Sequence, residues 1–347
     1  MEFGSWKTDF DTIFPHLQRV ALGRRAVNVL AIGDRIAFGL PDDGDLANEV
    51  VNMYRPMKWR ARKMASLVKT FVKMGGAKFL KSRSSKLELS EISWLNSDES
   101  LGFLGCNPRH GFRCVFLSSA EGQQIRVTKL AIGSNIDPIV AEAKWLQENC
   151  GEYPGVPKFG GCETGLDWAA FWTNYISQPG PLELGGEAEI ELLRSWLQPA
   201  RVRIGDLCWM ELLLKEMPAI LASSLMNEVV CEALIHGDFT SWNLRSNESG
   251  LVAIDWEWAR VDGIGGLDLG HGLIMEAVFV KGLRGEDLVN EVLIKIEREE
   301  PSSYLKECGW GNVNLWMALA LQYAGKQTGL DVGNELDVLK NRVEHSA

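Results

Sequence analysis

The stretch His236-Gly237-Asp238-Phe239-Thr240-Ser241-Trp242-Asn243, followed by Ile254-Asp255-Trp256-Glu257, decides how this chain is read. It sets out an Asp, an Asn five residues on, and a second Asp a dozen residues after that. The local pattern gives these residues a setting. Ala233-Leu234-Ile235 is an apolar run that enters the loop, and Asn243-Leu244-Arg245 suits a short strand. Residues 246–250 are a turn cluster, and Leu251-Val252-Ala253-Ile254 is a buried-type strand that ends on Asp255.

Phosphoryl transfer from a Mg²⁺-bound nucleotide asks for these three groups. A carboxylate accepts the proton of the attacking hydroxyl, and an amide and a second carboxylate hold the metal on the phosphates. Protein kinases place them in H-R-D-x-x-x-x-N and D-F-G. Here Gly237 stands in the Arg slot and Trp256-Glu257 in the Phe-Gly slots. In this form the chain resembles the aminoglycoside phosphotransferase-like family of small-molecule kinases. The wording HGDFTxWN looks like members that phosphorylate sugars or glycan precursors. The resemblance implies an α+β, two-lobed, protein-kinase-like fold. Its small lobe would be a five-stranded antiparallel sheet with one helix and its large lobe mostly helical, with ATP and Mg²⁺ as cofactors between them. It makes Asp238 the catalytic base and Asn243 and Asp255 the Mg²⁺ ligands, with His236 orienting the loop.

Upstream, Ile125-Arg126-Val127-Thr128-Lys129-Leu130 alternates as a strand does and carries a Lys near its end. Thirteen residues on, Glu142 opens a stretch with helix-compatible apolar positions. By the same resemblance Lys129 holds the nucleotide phosphates and Glu142 fixes its ammonium. Read alone, each is an ordinary strand or helix charge. Residues 105–113 form a turn-rich loop between two apolar strands, and Gly105 and Gly111 make it a candidate phosphate-covering loop. It is neither G-x-G-x-x-G nor a Walker A loop, and a plain hairpin turn is the equal alternative.

Residues 154–159 and 168–176 read as two further strands, the second running into an interlobe hinge near 174–178. The aromatic run Trp168, Phe171, Trp172, Tyr175 reads as core packing. Asp268, in Gly265-Gly266-Leu267-Asp268-Leu269, resembles the family's Asp that supports the catalytic loop, with a helix N-cap as the alternative. His271, alone on an apolar stretch, reads as packing.

The chain's 347 residues, 46% of them apolar, are enough for two lobes. Residues 1–95 match no kinase element and are expected to be an N-terminal extension or small domain. The small lobe is expected over 96–178 and the large lobe over 179–347. Within the first part, residues 27–40 suit a short hairpin and 41–45 a turn. Residues 285–300 and 314–328 suit helices. The seven cysteines form no C-x-x-C pair, which with the lack of a leader pattern or a long apolar run points to a cytoplasmic chain with no transmembrane segment.

A formal charge of −10 argues against nucleic-acid binding. From Arg55 to Lys86, however, there are eleven Lys or Arg and no Asp or Glu. Met64, Leu67, Val68, Phe71 and Val72 fall on one helical face there. Residues 55–86 therefore suit either peripheral contact with an anionic membrane or a scaffold helix with solvated charges, and the second is preferred. The expected partner is a small-molecule hydroxyl acceptor, a sugar ahead of an aminoglycoside. The rivals are a protein kinase, against which the missing A-P-E and the Gly in the Arg slot both count, and a catalytically silent pseudokinase.

Overall fold

The computed structural model describes residues 24–26, 28–32, 36–41, 43–56, 59–76, 86–88, 100–106, 112–119, 124–133, 136–166 and 168–345. The chain divides into two compact units, Met1–Cys150 with Pro157–Ser177, and Gly151–Val156 with Gln178–Ala347. Both are built from mixed helix and strand, so the chain is α+β.

Among the described residues the first unit holds a two-stranded antiparallel pairing of Arg24–Ala26 with Lys86–Glu88 and one larger antiparallel sheet. The strands of the larger sheet lie in the order Asn28–Ile32, Ile36–Leu40, Ser100–Cys106, Phe112–Ser119, Arg126–Ile132, Trp168–Asn174, Phe159–Thr164. Seven strands stand where five were expected. The two extra ones come from the N-terminal segment, with Phe38 opposite Leu104 across the junction. The described part of residues 1–95 is thus built into the sheet's own unit. Asp43 starts a helix, Gly44–Met53, where a turn was expected. Its carboxylate accepts from the Asp45 and Leu46 N–H groups at 3.0 and 3.2 Å, satisfying donors that a helix start leaves open. That helix buries Leu46, Ala47, Val50 and Val51 against Phe38, Leu40 and Leu117. Each large apolar side chain so buried contributes roughly 1.5–3 kcal/mol.

The expected strand over 154–159 begins only at Phe159. Prolines at 154 and 157 remove two ladder donors. Residues 151–156 instead join the second unit, where Pro154 O accepts from Trp196 Nε1 at 2.8 Å and Gly155 O from the Ala253 N–H at 2.9 Å.

In the second unit, Val229–Ile235 pairs with Leu197–Arg203 and Arg260–Ile264, and the hairpin Leu244–Asn247/Gly250–Ala253 pairs with Gln178–Pro179. The remainder is mainly helical. Leu267–Met275 and Val313–Thr328 pack tightly enough that a Cβ on Gly270 would lie 2.5 Å from that of Ala320. The helices Gly285–Ile296 and Val313–Thr328 lie where the composition suggested them. No described helix is long and apolar enough to cross a membrane.

Candidate active site

The strand Val229–Ile235 delivers the chain into the loop that begins at His236. His236 is wholly buried. Its Nδ1 lies 3.2 Å from the Asp238 backbone nitrogen and its Nε2 2.9 Å from Ile254 O. Nδ1 must accept and Nε2 must donate, so the ring is the neutral Nε2–H tautomer. Burial pushes the imidazole below its ordinary value, in keeping with that state. One ring therefore ties this loop to Ile254, the residue that precedes Asp255.

Gly237 has φ 87°, and a Cβ there would fall 2.5 Å from Trp258 Cβ and 2.6 Å from Trp258 O. Conformation and space both exclude the Arg that protein kinases carry at this slot. Asp268 holds the same peptide from the other side. Its Oδ2 accepts from the His236 N–H at 2.7 Å and its Oδ1 from the Gly237 N–H at 3.0 Å. Burial raises the Asp268 carboxyl, and the two backbone N–H donors oppose that rise. Asp268 sits inside the Leu267–Met275 helix, whose N-cap is Gly266, so the capping alternative does not hold. The Tyr323 hydroxyl donates to Gly237 O at 3.3 Å. Phe239, Trp196, Trp256 and the His236 ring form a buried aromatic floor beneath the loop.

Asp238 reaches solvent, with its side chain 32% exposed. Asn243 Nδ2 donates to Asp238 Oδ2 at 2.9 Å and to Asp238 O at 3.0 Å. Both neighbours are acceptors, which fixes the amide's orientation: its nitrogen faces Asp238 and its oxygen is turned away. The hairpin register sets Leu244 opposite Ala253, and the Ile254 N–H donates to Asn243 O at 2.8 Å. Asn243 and Asp255 are therefore brought together by backbone pairing across the turn. Asp255 has φ 75°, the one left-handed non-glycine among the described residues. Such strain persists where the surroundings over-determine it, which is typical of functional positions.

His271 is the site residue that sequence reading passed over. Its buried Nε2 lies 3.1 Å from Asp238 Oδ1. A carboxylate oxygen accepts, so Nε2 carries the hydrogen; Nδ1 is buried with no hydrogen-bond partner. The two oxygens of Asp238 are thus each met by a side-chain donor, Asn243 on one and His271 on the other. The lone His on an apolar helix gave no signal of this beyond its own polarity.

In the other unit, Lys129 Nζ lies 2.6 and 2.8 Å from the two carboxylate oxygens of Glu142. Lys129 is on the strand Arg126–Ile132, and Glu142 is buried on the helix Ile136–Asn149. Lys129 Nζ also lies 5.6 Å from the centre of the Phe171 ring, which faces it across the register. Gly105 ends up inside the strand Ser100–Cys106, opposite Cys114. Gly111 and the rest of the loop over 107–111 lie outside the described residues.

The donor set suits a hard divalent cation. One carboxylate, Asp255, and one amide oxygen, that of Asn243, are oxygen ligands of the kind Mg²⁺ takes when phosphates and water supply the remainder.

No family model matches the sequence, and no curated protein is similar to it. The chain is similar to solved structures of small-molecule kinases. One is an aminoglycoside-3'-phosphotransferase of type VIII, at 14% identity and TM-score 0.32, covering 65% of this chain and 86% of that one. A second is aminoglycoside phosphotransferase APH(3'')-Id from Streptomyces rimosus ATCC10970, at 13% and 0.38, covering 66% and 89%. A third is a protein assigned as a fructosamine-3-kinase from Haemophilus somnus 129PT, at 12% and 0.35, covering 66% and 87%. Overlap this loose adds nothing about individual residues, whose reading stands on the distances above.

Proposed function

We propose that this chain is an ATP-dependent phosphotransferase that moves the γ-phosphoryl group to a hydroxyl of a small molecule. The observation that carries the reading is the Asp238 carboxylate, aimed by Asn243 and His271 on a loop braced by Asp268. Asp238 takes the proton of the acceptor hydroxyl as its oxygen bonds to phosphorus, and the bond to the nucleoside diphosphate breaks. Asn243 and Asp255 would hold Mg²⁺, which when bound supplies neutralising charge to the phosphates. Lys129, its ammonium gripped by Glu142, would bind the phosphates as a point charge. Positioning and electrostatics carry the rate, since this chemistry asks little covalent help of the protein.

For the acceptor we favour a neutral or anionic sugar over a polycationic aminoglycoside. The C-terminal helices are rich in carboxylates, which would suit a polycation, but several are already answered. Glu291 pairs with Lys281 at 2.6 Å, Glu300 with Arg194 at 3.0 Å and Glu286 with Arg342 at 3.5 Å. Steady-state kcat/KM with MgATP over a panel of sugars, amino alcohols and aminoglycosides tests both parts. No turnover of any hydroxyl compound would count against the enzyme. An aminoglycoside ahead of every sugar would overturn the acceptor class alone.

A further inference from the structure

The basic segment is not used by the chemistry above. Its longest described stretch is the helix Trp59–Lys73, carried on by Met74, whose N–H donates to Thr70 O at 3.0 Å. One face of this helix is committed to the core. Ala65 and Val72 are buried, and Val68 packs against the cluster around Phe38, Leu40 and Val50. This divides the apolar positions that the sequence placed on a single face. Met64, Leu67 and Phe71 point elsewhere and are 40%, 66% and 38% exposed, and Met74 is 74% exposed. At about 100° per residue the four lie within an arc of roughly 80°, beside the core-facing side. Lys63 borders that arc, and Arg62 and Lys73 lie on the far side of the helix, all three exposed.

A scaffold helix with solvated charges accounts for the lysines and arginines but not for the stripe. Four large apolar side chains in a row on a surface, with Lys63 at one edge and a basic segment around them, mark a surface that is covered in use. We propose that this helix docks the chain on an anionic lipid bilayer. Met64, Leu67, Phe71 and Met74 would enter the boundary between headgroups and acyl chains, and the neighbouring Lys and Arg would meet headgroup phosphates and carboxylates. The occupant follows from the pairing of the two chemistries. Eleven positive charges with no negative one call for a polyanion, and the apolar stripe calls for a layer that dissolves hydrocarbon. A nucleic acid offers the first without the second. The rest of the chain is acidic enough to bring the net charge to −10, so attraction to an anionic surface is confined to this segment.

Co-sedimentation of the full chain with vesicles tests the proposal without reference to catalysis. Binding is expected to vesicles of phosphatidylcholine with phosphatidylserine and not to phosphatidylcholine alone. It should weaken by about tenfold or more between ~0.05 and ~0.5 M salt. Arg62→Gln/Lys63→Gln/Lys73→Gln should lower the partition coefficient by about tenfold or more. Leu67→Ser/Phe71→Ser should do the same while keeping every charge. If the double variant unfolds at a lower temperature than wild type, Leu67→Ser alone is the reading variant, because Leu67 is the more exposed of the two. No binding to the anionic vesicles at low salt overturns the proposal. Wild-type binding by the serine variant also overturns it, and a DNA duplex that competes equally with vesicles would then identify a plain polyanion site.

Discussion

His271 Nε2 stands 3.1 Å from Asp238 Oδ1, from a ring that is itself buried. With Asn243 on Oδ2, this bond fixes the plane of the carboxylate. A residue that only aims the base should affect the chemical step and not nucleotide binding. His271→Leu is therefore expected to lower kcat by ~10-fold or more with KM for ATP changed less than about twofold. His271→Gln, which can place an N–H donor near the Nε2 position, should recover most of that loss. Equal losses in both variants would mean that His271 acts through packing alone.

The left-handed backbone at Asp255 yields a stability test. At φ 75° a Cβ is strained, and glycine is the residue that relieves it. Asp255→Gly is expected to unfold at higher denaturant than Asp255→Ala, by about 1 kcal/mol. Both should lose Mg²⁺-dependent nucleotide binding. Equal stability of the two variants would contradict the strain, and retained Mg²⁺-dependent binding would contradict the metal role.

Lys129 and Glu142 form a lopsided pair, the carboxylate buried and the ammonium partly exposed. Removing the Lys takes the ion-pair partner from a buried carboxylate, whereas removing the Glu leaves a partly exposed ammonium that can turn toward water. Lys129→Met should therefore cost more stability than Glu142→Gln, on the order of 3 kcal/mol against about 1. Glu142→Gln should instead show itself as a several-fold rise in KM for ATP. The reverse order of stabilities, measured by denaturant unfolding, would contradict this division.

The loop was legible because its chemistry is contiguous: Asp238, Asn243 and Asp255 lie within one strand-loop-hairpin run whose register can be inferred from nearby turn residues. His271 was not, because it reaches Asp238 through the packing of the Leu267–Met275 helix, and a histidine among apolar residues looks the same whether it touches a base or a leucine. The hairpin over 27–40 was visible as apolar runs. Its place in the sheet was not, since the pairing of Phe38 with Leu104 joins strands far apart in sequence, and local pattern does not fix such a register. On the basic helix, periodicity showed apolar positions but merged two stripes that differ only in what they face.

The buried neutral His236 gives a pH dependence of defined sign. Its folded pKa lies below the ordinary 6.5, so the unfolded chain takes up a proton that the folded chain refuses. The stability it contributes is present above about pH 6.5 and is lost as the pH falls toward the depressed value, at up to ~1.4 kcal/mol per pH unit. Asp268, with its carboxyl raised by burial, works in the opposite sense. Comparing wild type with His236→Gln separates the two. The midpoint of wild type should drop more than that of the variant between pH 7.5 and about 5.5. Parallel curves would contradict a neutral buried ring.

The central claim is that Asp238 serves as the base in phosphoryl transfer. Its most direct test is single-turnover transfer from γ-labelled ATP to the best acceptor of the panel, measured for wild type and Asp238→Asn with nucleotide affinity determined in parallel. The variant should bind MgATP within about twofold of wild type and transfer ~10²-fold or more slowly. Transfer at the wild-type rate with saturating acceptor would contradict the role assigned to Asp238, whatever the identity of the acceptor.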